Sequence, residues 1–470
     1  MTSQVSRRDF LSATGNGLTA ALLAGTIKQA FADPSGKRPP NFIVIMADDL
    51  GAKELSCYGN KTHQTPCLDG LAETGVKFET CYATPICHPT RLMIMTGQYG
   101  CHNGVYNFAG RRGGPEADSP VEDIAKSHVS FANVLKKAGY ATALAGKWQL
   151  SGEHPGLIHE CDFDEYCIWA YQHNLPPGIT YTGGLEHDKK TSRYWHPCIL
   201  KNGEYIPTKA EDYGPDIHAE FVNDFISRKK DQPFFVYYPM CLTHGPHVPT
   251  PRSLKEGMDK FKNSKANFKD TVEYVDVLVD RLVKHLEKLG LRENTVVFFT
   301  GDNGTGGEGK GQPTELGARV PMIVNAPGLV KRRGSTGELT DLSDILPTLA
   351  ALAGADLPAD KVIDGKSYAD FLQGKTDVTR DWIFSYIGDA RILRTKRWLL
   401  EDNSPLHYGR LYDCGESRDG TGYREVTSSE DKEVLEIKKR FDGLLQTLPA
   451  PVLEADGSPT EKKLRRRKNK

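Results

Sequence analysis

Residues 41–46, Asn-Phe-Ile-Val-Ile-Met, form an unbroken apolar run that stops at Asp48-Asp49. A strand with one wet face alternates polar and apolar residues, so a continuous run describes a strand covered on both faces, with polar residues at its carboxyl end. Comparable runs recur at Ala141–Ala145, Pro233–Tyr238, Thr295–Thr300 and Val320–Ala326, while 129–138, 215–229, 268–289 and 341–353 carry apolar residues at helical spacing. This alternation predicts an α/β fold: a large, mostly parallel sheet between helices. After about residue 375 the pattern changes to the short pieces Trp382–Tyr386, Ile392–Arg394, Trp398–Leu400 and Arg410–Tyr412, then a helix near 430–446, which predicts a smaller C-terminal α+β domain.

The chain has 470 residues, enough for two to four folding units at roughly 100–200 residues each. With 26% charged and 38% hydrophobic residues it is neither a disordered chain nor a collagen, coiled coil or multi-span membrane protein. The net charge of −1 hides an asymmetry: residues 462–470 carry seven positive charges, so the preceding body sums to −8. An acidic body speaks against a nucleic-acid partner, which needs broad basic patches. The tail, 456–470, reads as a solvated, disordered end.

Ser6-Arg7-Arg8-Asp9-Phe10-Leu11 precedes a mild apolar run, Leu18–Ala24, and Ala30-Phe31-Ala32 has the small-x-small form of a cleavage site. Residues 1–32 therefore resemble a twin-arginine export signal, which places the mature protein in the periplasm or outside the cell. The run is interrupted by Gly15, Gly17, Thr19 and Gly25 and is too short for stable membrane insertion. Ten cysteines without a C-x-x-C pair indicate neither a disulfide scaffold nor a structural zinc site.

In open α/β sheets ligands gather beyond the carboxyl ends of the strands, which gives polar residues there particular weight. Asp48-Asp49 and Asp302-Asn303 follow two such ends and would bring three carboxylates and one amide to one edge, a hard-oxygen set suited to calcium or magnesium. Taken singly, each pair also reads as a turn. Cys87-His88-Pro89-Thr90-Arg91 opens a helix, with proline in the first turn, so Cys87 meets free N–H groups and the positive end of the helix dipole. A reactive thiolate or a structural cysteine are the readings left open by those residues alone.

Together, C-x-P-x-R followed by Thr96-Gly97, strand-Asp-Asp, Gly146-Lys147-Trp148, Thr243-His244-Gly245-Pro246-His247, Gly301-Asp302-Asn303-Gly304 and Gly309-Lys310-Gly311 before Arg319-Val320-Pro321 resemble the formylglycine-dependent sulfatases of the alkaline phosphatase superfamily, in the family's order over about residues 40–350. The resemblance implies an alkaline-phosphatase-like mixed sheet, a catalytic domain over 38–375 and a smaller one over 376–455. It further implies that Cys87 is oxidised to formylglycine by a formylglycine-generating enzyme, and that one diol oxygen of the hydrate attacks the sulfur of a sulfated carbohydrate or aryl sulfate. Asp48, Asp49, Asp302 and Asn303, with residue 87 itself, then match the ligands of a calcium or magnesium ion. Arg91 matches the arginine that steadies the nucleophile, Lys147 and Lys310 the lysines on the sulfate oxygens, and His244 the histidine beside the ester oxygen. His247 and Gln149 are further candidates for substrate contact.

Thr90 in place of the commoner serine and Glu315-Leu316-Gly317 in place of Glu-Gly-Gly depart from the family pattern without disabling it, and a third departure bears on the chemistry. The family carries histidine two residues after the lysine of Gly-Lys-Trp, and here that residue is Gln149, whose amide hydrogen-bonds but cannot titrate as a base. Two rival functions follow from the same residues: a phosphodiester or phosphonate monoester hydrolase with the same nucleophile, and a non-catalytic receptor for sulfated glycans. A nucleotide-binding loop is excluded at Gly304–Lys310, because Gly311 stands where Ser or Thr would hold magnesium.

Overall fold

The computed structural model describes residues 38–108, 128–150, 157–170 and 192–451. The export signal expected over 1–32 and the basic tail over 456–470 lie outside the described residues. Ten strands form one sheet: β1 Asn41–Ala47, β2 Val76–Tyr82, β3 Ala141–Gly146, β4 Glu165–Trp169, β5 Ile199–Lys201, β6 Glu204–Ile206, β7 Phe234–Pro239, β8 Thr295–Gly301, β9 Arg319–Asn325 and β10 Gly334–Asp341. Their spatial order is β10-β2-β9-β8-β1-β7-β3-β4-β5-β6. The central block β8, β1, β7, β3 and β4 is parallel, whereas β9 runs antiparallel between β8 and β2. The sheet is thus mixed and mostly parallel.

The apolar run at the start of the chain explains its place. Every residue of β1 is buried. Phe42, Val44 and Met46 point into a layer shared with helices Cys87–Thr96, Phe131–Lys137 and Ile345–Ala353. Ile43, Ile45 and Ala47 point into the opposite layer, with Pro66–Thr74, Gly214–Lys229 and Phe268–Lys288. Each such side chain contributes about 1.5–3 kcal/mol on burial, which is why the strand tolerates no polar interruption. Helix Phe268–Lys288 shows the complementary pattern, burying Val272, Val275, Val279, Leu282 and Leu286 along one stripe.

Strands β2 and β10 escape sequence periodicity for identifiable reasons. Lys77 and Glu79 interrupt β2, but they pair at 2.9 Å and Lys77 also donates to the Cys57 carbonyl at 2.7 Å. The edge strand β10 is polar and partly exposed over its first half, as edges commonly are.

A second, antiparallel sheet follows: β11 Ile383–Ile387, β12 Ala390–Arg394, β13 Trp398–Asn403, β14 Arg410–Asp413 and β15 Arg424–Glu425. Helix Lys432–Thr447 buries Val434, Ile437, Phe441 and Leu445. Arg380 joins the two regions, completely buried between Asp341 at 2.9 Å, Asp344 at 2.7 Å and the Tyr99 hydroxyl at 2.9 Å. Among the described residues no helix is long and apolar enough to cross a membrane.

Candidate active site

The carboxyl ends of β1, β7, β3 and β8 lie side by side, and their outgoing backbones are stitched together. Asp302 N–H donates to the Ala47 carbonyl at 3.0 Å, Asp48 N–H to Leu242 at 2.7 Å and Thr243 N–H to Asp48 at 2.6 Å. Lys147 N–H donates to the Pro239 carbonyl at 2.6 Å. That approach requires glycine at 146: its φ is 115°, and a Cβ there would sit 2.0 Å from the Pro239 oxygen. The Gly-Lys pair therefore aims a lysine at the neighbouring strand end.

Helix Cys87–Thr96 enters from the turn after β2, and all ten of its residues are buried. Thr90 fixes the turn: its hydroxyl accepts from Thr84 N–H at 3.0 Å and donates toward the Ile86 carbonyl at 3.2 Å, holding Cys87 at the first helical position. The helix ends at Gly97, left-handed at φ 68°, whose N–H returns to the Met93 carbonyl.

On this frame the charges interlock. Lys147 Nζ donates to both oxygens of Asp48, at 2.8 and 2.7 Å. Lys310 Nζ lies 2.7 Å from Asp49 Oδ1 and 2.8 Å from Oδ2. Arg91, fully buried, donates to Asp302 Oδ2 at 2.6 Å and to the Lys147 carbonyl at 2.9 Å, and stands 3.5 Å from Asp48 Oδ1. Asp49 N–H donates to Asp302 Oδ1 at 2.9 Å. His244 Nδ1 donates to the Gly245 carbonyl at 2.7 Å, which turns Nε2 toward Asp49 Oδ2 at 3.8 Å.

Burial alone would raise the Asp48 pKa, but Lys147, His244, Arg91 and Lys310 hold it well below the usual carboxylate range. Asp302 goes the other way, pushed up to about 7 by burial and by Asp48 despite Arg91. His244 is lowered to about 3: burial and Arg193 outweigh the pull of Asp48. Lys147 and Lys310 are raised: against burial, Asp48 and Cys87 act on Lys147, and Cys87, Asp49 and Asp48 on Lys310.

The donor set fits a hard divalent cation. Donor atoms of Asp48, Cys87 and Asp302 lie within 4.8 Å of one another, as do those of Asp48, Asp49 and His244. The Asn303 amide donates to Asp49 Oδ1 at 2.9 Å while its Oδ1, buried, has no hydrogen-bond partner. A buried carbonyl oxygen left unpaired costs about 1–3 kcal/mol, and cation coordination removes that cost. The same cation would ease the Asp48–Asp302 repulsion that raises Asp302.

The matches to known proteins agree with this geometry. The sulfatase family model matches residues 40–355. The chain belongs to the sulfatase family. This sulfatase is 30% identical to steryl-sulfatase of Mus musculus over 468 residues, 81% of this chain and 72% of the relative. It is 32% identical to N-acetylgalactosamine-6-sulfatase of Homo sapiens over 387 residues, 76% and 70% respectively. Its fold matches, at TM-score 0.66 and 20% identity, a protein solved in complex with its substrate D-glucosamine-2-N,6-O-disulfate, over 87% of this chain and 97% of the other. The sulfatase is accordingly an enzyme that hydrolyses sulfate esters.

The sulfatase brings Asp48, Asp49, Cys87, Arg91, Lys147, His244, Asp302, Asn303 and Lys310 to one sheet edge. His247 lies near enough to Asp49 to feel its charge, with its ring edge-on to Phe268 at a centroid distance of 5.2 Å and its backbone N–H donating to Asn263 Oδ1 at 2.8 Å. Gln149, left-handed at φ 52°, keeps its Oε1 buried without a hydrogen-bond partner and sets its backbone beside the ring of His88. His88 is lowered to about 4 by burial and by Arg91.

Sequence reasoning did not single out His88, Arg193 or Tyr194. Arg193 Nη1 lies 3.8 Å from Asp48 Oδ2, and the Tyr194 hydroxyl donates to the Cys241 carbonyl at 2.9 Å and to the His244 carbonyl. No sequence signal leads to Arg193: its guanidinium lies 4.1 Å from the ring centroid of Trp169, the last residue of β4, 24 residues earlier in the chain.

Proposed function

We propose that the protein is an exported sulfatase that uses formylglycine formed from Cys87 and one calcium ion to release inorganic sulfate from a sulfated carbohydrate. The observation that carries this reading is the position of Cys87: it opens a fully buried helix and lies within 4.8 Å of carboxylate oxygens of Asp48 and Asp302. Asp48, Asp49, Asp302 and Asn303 would hold the cation, which supplies positive charge that acidifies a hydroxyl and stabilises a sulfuryl group. With Cys87 converted by a maturing enzyme, the hydrated aldehyde supplies a nucleophilic hydroxyl and, on the same carbon, a second hydroxyl through which sulfate is released.

The remaining work belongs to the chain itself. Lys147 and Lys310 present fixed ammonium groups to the sulfate oxygens, and Arg91 locks the residue-87 turn against Asp302 so that these groups need no reorganisation during reaction. His244, oriented by the Gly245 carbonyl, meets the ester oxygen through Nε2. Gln149 hydrogen-bonds the bound ester but takes no proton, so proton removal from the second hydroxyl falls to solvent. In this reading residues 38–375 carry the chemistry and 376–455 form the smaller domain.

A carbohydrate substrate is supported by the human relative's name and by the glucosamine disulfate bound to the structural neighbour. Export is supported by Arg7-Arg8 and the cleavage-like Ala30-Phe31-Ala32. The test combines mass spectrometry of the Cys87 peptide, from cells containing the maturing enzyme, with sulfate release from a panel of sulfated saccharides. An aldehyde at position 87 and multiple turnover are the expected result; an unmodified thiol in a fully active enzyme would refute it.

A further inference from the structure

A groove of about 520 Å³ opens beside the second sheet, lined by Arg391, Leu406, His407, Tyr408, Asp442 and Gln446 with their neighbours. That volume lies within the roughly 300–1,000 Å³ of small-molecule sites. One wall is the turn between β13 and β14, the other the end of helix Lys432–Thr447. Arg391 joins the walls: its guanidinium donates to the Leu445 carbonyl at 3.2 Å and to Asn403 Oδ1 at 3.1 Å. The turn is held firmly. Ser404 and His407 exchange backbone hydrogen bonds at 3.0 and 3.3 Å, and the Ser404 hydroxyl accepts from Leu406 N–H at 3.1 Å. Gly409 packs so closely on β13 that a Cβ there would stand 1.9 Å from the Glu401 carbonyl oxygen.

On this rigid turn Leu406 is 59% and Tyr408 41% exposed. Across from them Asp442 and Gln446, four residues apart on one helix face, are both exposed. Burial and the Asp442 carboxylate push the Tyr408 hydroxyl up to about 12, so it stays a hydrogen-bond donor at any working pH. The charges of Arg391 and Asp442 cancel, and the Arg391 amino groups are already engaged by protein oxygens, so the groove does not select a second sulfate. It offers a carboxylate and an amide beside an exposed ring, which suits an uncharged sugar with hydroxyls at its edge and C–H groups on its face. Two exposed apolar side chains are too few for a protein partner, which needs about 20–30 residues a side.

Each wall is tied to the active site. At the base of the turn Asp402 N–H donates to the Pro313 carbonyl at 2.9 Å, three residues from Lys310. Beyond the other wall the Tyr106 hydroxyl donates to the Pro449 carbonyl at 3.0 Å, and Phe108, two residues on, packs edge-on to His88 beside Cys87 with ring centroids 5.9 Å apart. We infer that the groove is a subsite for an uncharged sugar unit of a saccharide whose sulfated unit occupies the active site, with Tyr408 against the sugar face and Asp442 and Gln446 on its hydroxyls. The inference rests on the carbohydrate-sulfatase reading given above. No bond is made or broken in the groove; its contribution is binding alone.

The experiment measures kcat and KM for the matured enzyme and its Y408A and Q446A variants on N-acetylgalactosamine 6-sulfate and glucosamine 6-sulfate, each as the monosaccharide and within a tetrasaccharide. Calorimetry follows binding of the two unsulfated tetrasaccharides. Y408A should raise KM for the tetrasaccharide about fivefold to tenfold with kcat unchanged, the scale of one aromatic contact, and move the monosaccharide KM by less than about twofold. Its affinity for the unsulfated tetrasaccharide should fall by the same factor. Q446A, an exposed helix position, should shift the tetrasaccharide KM about threefold, as for one hydrogen bond, and it carries the test if Y408A does not fold. Equal shifts at both chain lengths, or none, would overturn the subsite and leave the active-site reading intact. A wild type releasing no sulfate from any of these esters would overturn that reading. The groove is then judged by calorimetry, where no binding, or equal binding by Y408A, would overturn it.

Discussion

Replacing Arg91 by leucine tests the electrostatic frame directly, because the structure fixes both the size of the effect and its pH dependence. The guanidinium makes two charge-bearing hydrogen bonds in a dry site, to Asp302 and to the Lys147 carbonyl. Breaking a buried pair costs about 3–5 kcal/mol when the partner stays charged. Asp302 has an escape, since burial beside Asp48 already raises it to about 7. At pH 6 it is protonated with or without Arg91, and the variant loses only hydrogen bonds, about 2 kcal/mol. Above pH 7 the wild type ionises Asp302, while in the variant its pKa rises further. The folded variant then holds a proton that the unfolded chain, near 3.9, has released, so its stability keeps falling by about 1.4 kcal/mol per pH unit. At pH 8.5 the loss reaches about 4 kcal/mol. Urea unfolding of chelator-treated protein reads this as a midpoint lowered by roughly 0.7 M at pH 6 and 1.3 M at pH 8.5, at about 3 kcal/mol/M. Equal losses at the two pH values would refute the coupling between Arg91 and Asp302.

Calcium at a hundredfold excess over its Kd should stabilise the wild type by about 2.7 kcal/mol against chelator, whereas N303L, lacking the orphaned buried oxygen, should show little of that gain; equal gains would remove Asn303 from the ligand set. K310M, which frees Asp49 of its ammonium partner, should lower kcat/KM on any sulfate ester by roughly a hundredfold or more while the protein remains folded, checked by steady-state sulfate release with circular dichroism. Glu401 is raised to about 7, chiefly by burial, so the folded state binds its proton more tightly than the unfolded one, and this contribution is present below about pH 4.5 and lost as pH rises through 7. E401Q keeps an oxygen for the Glu315 N–H and should flatten the fall in melting temperature between pH 5 and 8; an unchanged slope would assign that fall to other groups.

The acidic half of the site was legible because its signal is local. Asp48-Asp49 and Asp302-Asn303 follow apolar runs directly, and a strand buried on both faces can only deliver its next polar residues to the sheet edge. That those two edges touch was not local information: β1 and β8 are neighbours, Ala47 opposite Gly301, although about 250 residues separate them. The cationic half carried no such signal. Lys147, His244 and Lys310 are ordinary residues one at a time and stood out only through the order of family motifs. Arg193 follows no apolar run, and its position depends on Trp169, Tyr194 and the start of helix Gly214–Lys229, three contacts that only the folded chain makes.

The change of pattern after residue 375 suggested an appended unit, yet the small sheet reaches the chemistry through the loop that carries Lys310. Gly311 N–H donates to the Pro85 carbonyl at 2.6 Å, beside the Cys87 turn. From the other side Asp402 N–H donates to the Pro313 carbonyl at 2.9 Å, and Glu401 accepts from Glu315 N–H at 2.5 Å. Glu315 in turn accepts from the Tyr82 hydroxyl at 2.7 Å, at the end of the strand that leads to Cys87. The loop is therefore a strap with one end on the turn that presents Cys87 and the other on β13. A long, flexible lysine gives poor transition-state stabilisation unless its backbone is immobile, because a misplacement of about 1 Å can cost a hundredfold in rate. On the proposed reading, these hydrogen bonds from the second sheet hold the Lys310 loop in place and make that sheet a supporting wall of the active site rather than an accessory to it.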